Sequence, residues 1–200
     1  MAEPIPLPII HVNGFPGTGK LTVAKHLEQL LTPRARLVHN HLLINAADAV
    51  LRRDEAGYQN LRRAVRTAVF SSLADSAATH KFVYLFTDFQ SNDEVGSGVC
   101  AEYLAAARQR KCKLISVILG CDVDTNVGRL VTDERRAHGK ITDEALLRKF
   151  RDAVDIHRFE DLEVSSLEMD VSSVNAEEAA KQILQHVVRV CPEVGYKSGE

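Results

Sequence analysis

Between Asn13 and Thr22 the chain reads Asn-Gly-Phe-Pro-Gly-Thr-Gly-Lys-Leu-Thr, in which Gly14, Gly19 and Lys20 satisfy the spacing G-x-x-x-x-G-K. Residues of these types at this spacing bind phosphate. Glycines let backbone N–H groups turn inward around phosphate oxygens, and a helix that starts where the loop ends adds positive potential. A lysine at the end of such a loop reaches the β- and γ-phosphates of a nucleotide as a mobile point charge. The expected nucleotide contacts therefore run from Gly14 through Pro16, Gly17, Thr18, Gly19 and Lys20 to Leu21 and Thr22. The residue after the lysine is Leu21, where the general pattern has the Ser or Thr that holds Mg²⁺; Thr22 follows one place later.

Three other groups have side chains suited to phosphoryl chemistry. Asp88 ends the apolar run Val83-Tyr-Leu-Phe-Thr. A carboxylate at the end of a buried strand beside the phosphate loop can hold a magnesium ion through water or touch an acceptor. Its plain alternative is a helix or turn cap, because Ser91, Asn92 and Asp93 follow. His39 and His41 flank Asn40. They are either polar residues at a strand end or members of an acceptor site, and no third ligand accompanies them to make a metal site. Arg129, Arg135 and Arg136 lie in a polar stretch from Asp122 to Lys140, where positive charge could neutralise a moving phosphoryl group. A solvated helix face is the alternative for that charge run. Arg62, Arg63 and Arg66 would bind an anionic acceptor if their helix lay over the end of a sheet, and otherwise form a solvated face.

These residues need a frame, and the hydrophobic pattern supplies one. The apolar run Ile5 to Val12 leads into the loop, and Leu21, Val23, Ala24, Leu27, Leu30 and Leu31 then follow the spacing of a helix buried along one stripe. Further strands are expected within Arg36 to Ile44 and at Phe82–Phe86, Leu114–Leu119 and Leu167–Val171. Helices are expected at Ala101–Arg110, Thr142–His157 and Ala176–Val190, with a long one marked by Leu61, Ala64, Val65, Ala68, Val69 and Leu73. Five strands separated by helices imply an α/β three-layer sandwich around a five-stranded parallel sheet. Residues 122–140 do not fit the alternation and form a candidate lid.

The 200 residues carry 25 Lys plus Arg against 27 Asp plus Glu, a net charge of −2, and 45% of them are hydrophobic. One domain spanning 1–200 is expected from that length. The charge balance argues against a dedicated nucleic-acid binder, which shows a basic excess or stripe. No apolar run reaches the roughly 18 residues of a membrane span. Prolines at 4, 6 and 8 break the start of the chain, which has no cationic region of the kind a signal peptide carries. Four scattered cysteines without a C-x-x-C pair suit a reducing compartment, so a cytoplasmic location is expected.

The loop GFPGTGKLT resembles that of adenylate-kinase-like enzymes, whose G-x-P-G-x-G-K-G-T carries the same displaced threonine. The order of elements is similar to that of the small P-loop kinases, particularly the chloramphenicol-phosphotransferase-like and gluconate- or shikimate-kinase-like group. That resemblance implies magnesium held largely by water and phosphate oxygens, an acceptor site over the second strand and an arginine-bearing lid. In the group the second strand often ends in an Asp that contacts the acceptor hydroxyl; aligning the Leu-Ile pairs puts His41 there. A histidine suits that task, because its pKa lies near neutrality.

The resulting expectation is an ATP- and Mg²⁺-dependent phosphotransferase acting on a hydroxyl of a small molecule. The catalytic set is Lys20, His41, Asp88, Arg129, Arg135 and Arg136, with Asp88 also the magnesium residue. The alternatives are an NTP hydrolase, which needs no acceptor cleft, and a nucleotide-binding regulatory protein. The expected partners are a nucleotide and a small-molecule acceptor, with neither nucleic acid nor membrane.

Overall fold

The computed structural model describes residues 5–130 and 143–195. Five strands form one sheet: β1 (Ile9–Asn13), β2 (Ala35–His39), β3 (Val83–Thr87), β4 (Leu114–Gly120) and β5 (Ser165–Asp170). Their order is β2-β3-β1-β4-β5, and every neighbouring pair is parallel. The helices are α1 (Lys20–Leu30), α2 (Asn40–Asp48), α3 (Tyr58–Asp75), α4 (Glu94–Arg110), α5 (Val123–Leu130), α6 (Glu144–Ala153) and α7 (Ala176–Val190).

β1 and β3 are buried along their full length, because helices cover both faces of the sheet. Alternation then sorts their side chains. Ile10, Val12 and Leu85 pack with Val23 and Leu27 of α1 and with Ile183 and Val187 of α7. Ile9, Tyr84 and Phe86 pack with Phe70 and Leu73 of α3 and Tyr103 of α4. All parallel strands end on the same side, so the turns after β1, β2 and β3 meet there. That edge carries the site. Among the described residues, no helix is long and apolar enough to cross a membrane.

Three boundaries differ from the sequence reading. β2 stops at His39, and Asn40 to Asp48 is helical, so His41 stands in the first turn of α2 and not in a strand. α4 starts at Glu94, because the Asp93 carboxylate caps it by accepting from the Gly96 N–H at 2.8 Å. Gly96 and Gly98, poor helix formers, conceal those first turns in the sequence. α6 ends at Ala153, and the chain leaves extended to bridge Ile156 to Ser91.

The orientation of α3 also differs. Its buried residues are Tyr58, Arg66, Phe70 and Leu73, whereas Ala64 and Ala68 are exposed. Two aromatic rings bury far more apolar area than two alanines, and that difference sets the rotation of the helix. Arg66 is carried inward with them.

Candidate active site

The phosphate loop is shaped by contacts from three elements. The Asn13 side chain accepts from the Gly14 N–H and from the Gln90 N–H, both at 2.8 Å, and donates to the Gln90 carbonyl at 2.9 Å. A side chain at Gly14 would collide with the Leu119 carbonyl of β4. Gly17 has φ +91, and a Cβ there would lie 2.6 Å from the Asn126 amide nitrogen. Asn126, on α5, donates to the Pro16 carbonyl at 2.8 Å, and Arg151 of α6 donates to its amide oxygen at 2.9 Å. The Arg151 guanidinium also donates to the Cys121 carbonyl at 3.0 Å and stands 5.2 Å from the centroid of the Phe15 ring.

Lys20 begins α1 and folds back over the loop. Its ammonium donates to the carbonyls of Gly14 at 2.6 Å and Phe15 at 2.7 Å. Gly19 caps α1 without a side-chain hydrogen bond, and the first turn has no acidic residue. The opening N–H groups of the helix are therefore left for an anion, which is the arrangement a triphosphate requires. Pro16 through Thr22 line a cavity of about 1200 Å³; Gly14, where the loop starts, is not part of that lining.

From the loop the cavity continues past His39, Asn40 and His41 to α3, where Gln59, Arg62, Arg63 and Arg66 line it. Sequence periodicity alone pointed these arginines away from the buried face; the observed rotation of α3 turns them to the cavity. Its other side is formed by Asp88 to Ser91 and the first turns of α4. The opposite end is closed by Val171, Val174 to Ala176 and Arg129. That volume exceeds the few hundred Å³ of a site for one small ligand.

Asp88 lies just past β3 and is only 3% exposed. One carboxylate oxygen accepts from the Asn40 amide at 2.5 Å and from the Phe89 N–H at 2.8 Å; the other accepts from the Gln90 amide at 2.6 Å. The Tyr103 hydroxyl is 3.5 Å from that second oxygen. Burial pushes the carboxyl above its ordinary pKa, while the Gln90 and Phe89 bonds and the charges of Arg62 and Arg66 pull against it. The cap of α4 is Asp93, so Asp88 has no capping task there.

His41 lines the cavity from α2, with its ring centroid 6.2 Å from that of His39. Arg129 reaches the cavity from α5, but its guanidinium donates to the carbonyls of Val171 at 2.8 Å and Ser172 at 3.4 Å. The turn after β5 thus holds Arg129 at the cavity wall. Arg135 and Arg136, and most of the candidate lid, lie outside the described residues. Sequence reasoning missed Asn13, Gln90, Asn126 and Arg151 as supports of the loop. Their partners are 77, 110 and 25 positions away, and no local signal marks such pairs.

The donor set suits a nucleotide bound through its phosphates. For magnesium, the Asp88 oxygens are already engaged by protein donors, and no cluster of three carboxylate, imidazole or thiol groups forms among the described residues. Such a site fits an ion that takes most of its ligands from water and phosphate oxygens.

No protein-family model matches this chain, and no curated protein matches it in sequence. Solved structures do share its fold. A sugar kinase from Janibacter sp. HTCC2649 superposes with a TM-score of 0.62 at 14% identity, covering 96% of this chain and 100% of the other. A gluconokinase from Sinorhizobium meliloti 1021 gives 0.57 at 14% identity, over 98% and 99% of the two chains. A shikimate kinase from Acinetobacter baumannii, in complex with shikimate, gives 0.56 at 21% identity, over 92% and 95%. The chain has the fold of the P-loop small-molecule kinases.

Proposed function

We propose that this protein is an ATP- and Mg²⁺-dependent phosphotransferase that moves the γ-phosphoryl group to a hydroxyl of a small molecule. The observation that carries this reading is the continuity of the cavity. It runs from the phosphate loop to a second wall on α2 and α3, leaving room for an acceptor beyond the phosphates. A hydrolase needs only a positioned water. The fold shared with a sugar kinase, a gluconokinase and a shikimate kinase supports the same reading.

In this mechanism the loop from Gly14 to Thr22 and the first turn of α1 bind the triphosphate. Lys20 leaves the loop carbonyls to neutralise the transferred group. His41 orients the acceptor hydroxyl and accepts its proton as the oxygen bonds to the γ-phosphorus. The bond between that phosphorus and the bridging oxygen breaks, and ADP keeps the electron pair. Asp88 would hold magnesium through water, and the ion supplies neutralising charge to the phosphates. Arg129, with Arg135 and Arg136 of the candidate lid, would bring positive charge to the phosphates as the moving group leaves. The protein acts in the cytosol on a nucleotide and a metabolite, with neither nucleic acid nor membrane as a partner.

The test follows label from γ-labelled ATP, with Mg²⁺, in a protein-free metabolite extract, using Lys20→Met as control. Label in a new small molecule is the expected outcome. Release only as inorganic phosphate would establish a hydrolase. No Lys20-dependent turnover, with nucleotide still bound by the wild type, would make the protein a nucleotide-binding regulator.

A further inference from the structure

We infer that Arg151 of α6 is a positioning residue for the nucleotide, acting on the phosphate loop through Asn126 and Phe15, and that α6 is in turn held by the loop. The inference rests on the nucleotide binding of the reading above, not on transfer of the phosphoryl group. No residue of α6 lines the cavity, and Leu147 is its one buried residue. Phe150 and Arg151 are half-buried, and both rest on elements that carry the site. Adjacent helix positions point about 100° apart, so the two side chains reach different elements. The Phe150 ring centroid lies 5.7 Å from that of Phe89, the neighbour of Asp88. The Arg151 guanidinium lies 5.2 Å from the centroid of Phe15 in the loop. Phe15 and Phe89 are themselves 5.5 Å apart, which closes a circuit of four side chains.

Arg151 does more in this circuit than pack. Its planar fork donates to the Asn126 side-chain oxygen at 2.9 Å and to the Cys121 carbonyl at 3.0 Å. An asparagine amide has a donor end and an acceptor end. With a guanidinium on the oxygen, the nitrogen of Asn126 is left to face Pro16, whose carbonyl it meets at 2.8 Å. Asn126 is 0% exposed, so solvent does not compete for either end. The same nitrogen is the atom against which Gly17 packs. The loop thus takes its shape from an amide whose orientation Arg151 sets. The partners of Arg151 here are an amide oxygen, a backbone carbonyl and a ring, all neutral. The guanidinium therefore keeps its charge behind a loop that has to hold a polyanion. Lys20 adds a further demand. Its ammonium bonds the Phe15 carbonyl at 2.7 Å and has to leave it to reach the phosphates. The Phe15 ring, clasped between Arg151 and Phe89, then keeps that residue in place.

Calorimetric titration with ADP tests the assignment on Arg151→Met, Arg151→Lys, Asn126→Ala and the double variant Arg151→Met/Asn126→Ala. Arg148→Met is the control from the same helix, because Arg148 is exposed and paired with Glu144. Arg151→Met should bind ADP about tenfold more weakly than wild type. Arg151→Lys keeps the charge and loses the fork, and should bind about threefold more weakly. It also carries the test should Arg151→Met not fold. Asn126→Ala should bind ADP more weakly as well, and adding Arg151→Met to it should cost only about twofold more, since the route through Asn126 is already cut. Arg148→Met should stay within about twofold of wild type. Amide exchange gives a second readout. Saturating ADP should slow exchange across residues 144–153 of the wild type about threefold or more, and Arg151→Met should lose that response. Unchanged ADP affinity in the Arg151 variants, whatever their stability in urea, would make Arg151 structural only. Losses that simply multiply in the double variant, or an α6 indifferent to ADP, would equally overturn the assignment. Failure of the wild type to bind ADP would instead sink the nucleotide reading, and this inference with it.

Discussion

Asn13 and Gln90, 77 positions apart, hold each other by two hydrogen bonds: the Gln90 N–H donates to the Asn13 side-chain oxygen, and the Asn13 amide donates to the Gln90 carbonyl. The pair prolongs the β1–β3 ladder by one side chain. It thereby ties the start of the phosphate loop to the turn that carries Asp88.

Asn13→Ala should therefore strike both. It leaves the buried N–H and carbonyl of Gln90 without these bonds, a loss of about 2–3 kcal/mol. Asn13→Asp keeps the accepting oxygen but buries a carboxylate whose second oxygen meets the Gln90 carbonyl, so at neutral pH its loss should be at least as large. Urea unfolding measures the order, and equal stability of all three proteins would show that the pair contributes nothing.

Gly17→Ala places a methyl against Asn126 at a φ of +91. Left-handed backbone and the close contact together should lower stability by about 1–3 kcal/mol and ADP affinity by about tenfold. Gly98→Ala is the internal comparison, because nothing lies within 4 Å of its added Cβ on α4. It should stabilise the helix by about 0.5–1 kcal/mol. Calorimetric titration with ADP and thermal unfolding check both variants.

His41→Ala tests the assignment of the proton acceptor. Turnover with the natural acceptor should fall roughly a hundredfold or more, while ATP affinity stays within about threefold. An unchanged rate would make His41 a structural residue of α2.

His11 predicts how stability varies with pH. Its ring stacks against Tyr103 with centroids 4.3 Å apart, it is 0% exposed, and neither ring nitrogen has a hydrogen-bond partner among the described residues. Burial above all, then the charges of His157 and Lys20, hold it down at about 3. The folded chain keeps this imidazole neutral, whereas the unfolded chain protonates it below the ordinary value of 6.5. Its contribution is thus intact above pH 6.5 and is lost as pH falls toward 3, by about 1.4 kcal/mol per pH unit. Between pH 7 and pH 5 that amounts to about 2 kcal/mol. His11→Leu should remove this part of the slope, leaving what His157 and His186 add through their own burial. Parallel slopes for the two proteins would refute the assignment.

Local structure was legible in the sequence. The loop from Gly14 to Thr22 depends on nine adjacent residues, on glycine torsions and on the helix that follows, all encoded within one turn of strand and helix. The alternation of β-branched runs with helical spacing likewise determined a parallel sheet flanked by helices, because each period reflects a backbone geometry repeated over neighbours. The end of β2 was not legible. Val38 and Leu42 suit strand and helix alike, and pairing with β3, which stops at His39, decides between them.

Only the tertiary structure decided which side chains face one another. Asp88 could be placed at a strand end, yet its burial under Asn40 and Gln90 depends on β2, β3 and α4 converging. The carbonyl partners of Arg129 in the turn after β5 lie more than 40 positions away in the chain. Arg62, Arg63 and Arg66 could be read as a solvated face or as a wall over the sheet's end; all three line the cavity, Arg66 buried and Arg63 still exposed, because the aromatic residues of α3 set its rotation. Hydrophobic periodicity counts apolar residues equally, whereas packing weighs the area each one buries and the partner each charge finds; both are set by residues far away in the chain.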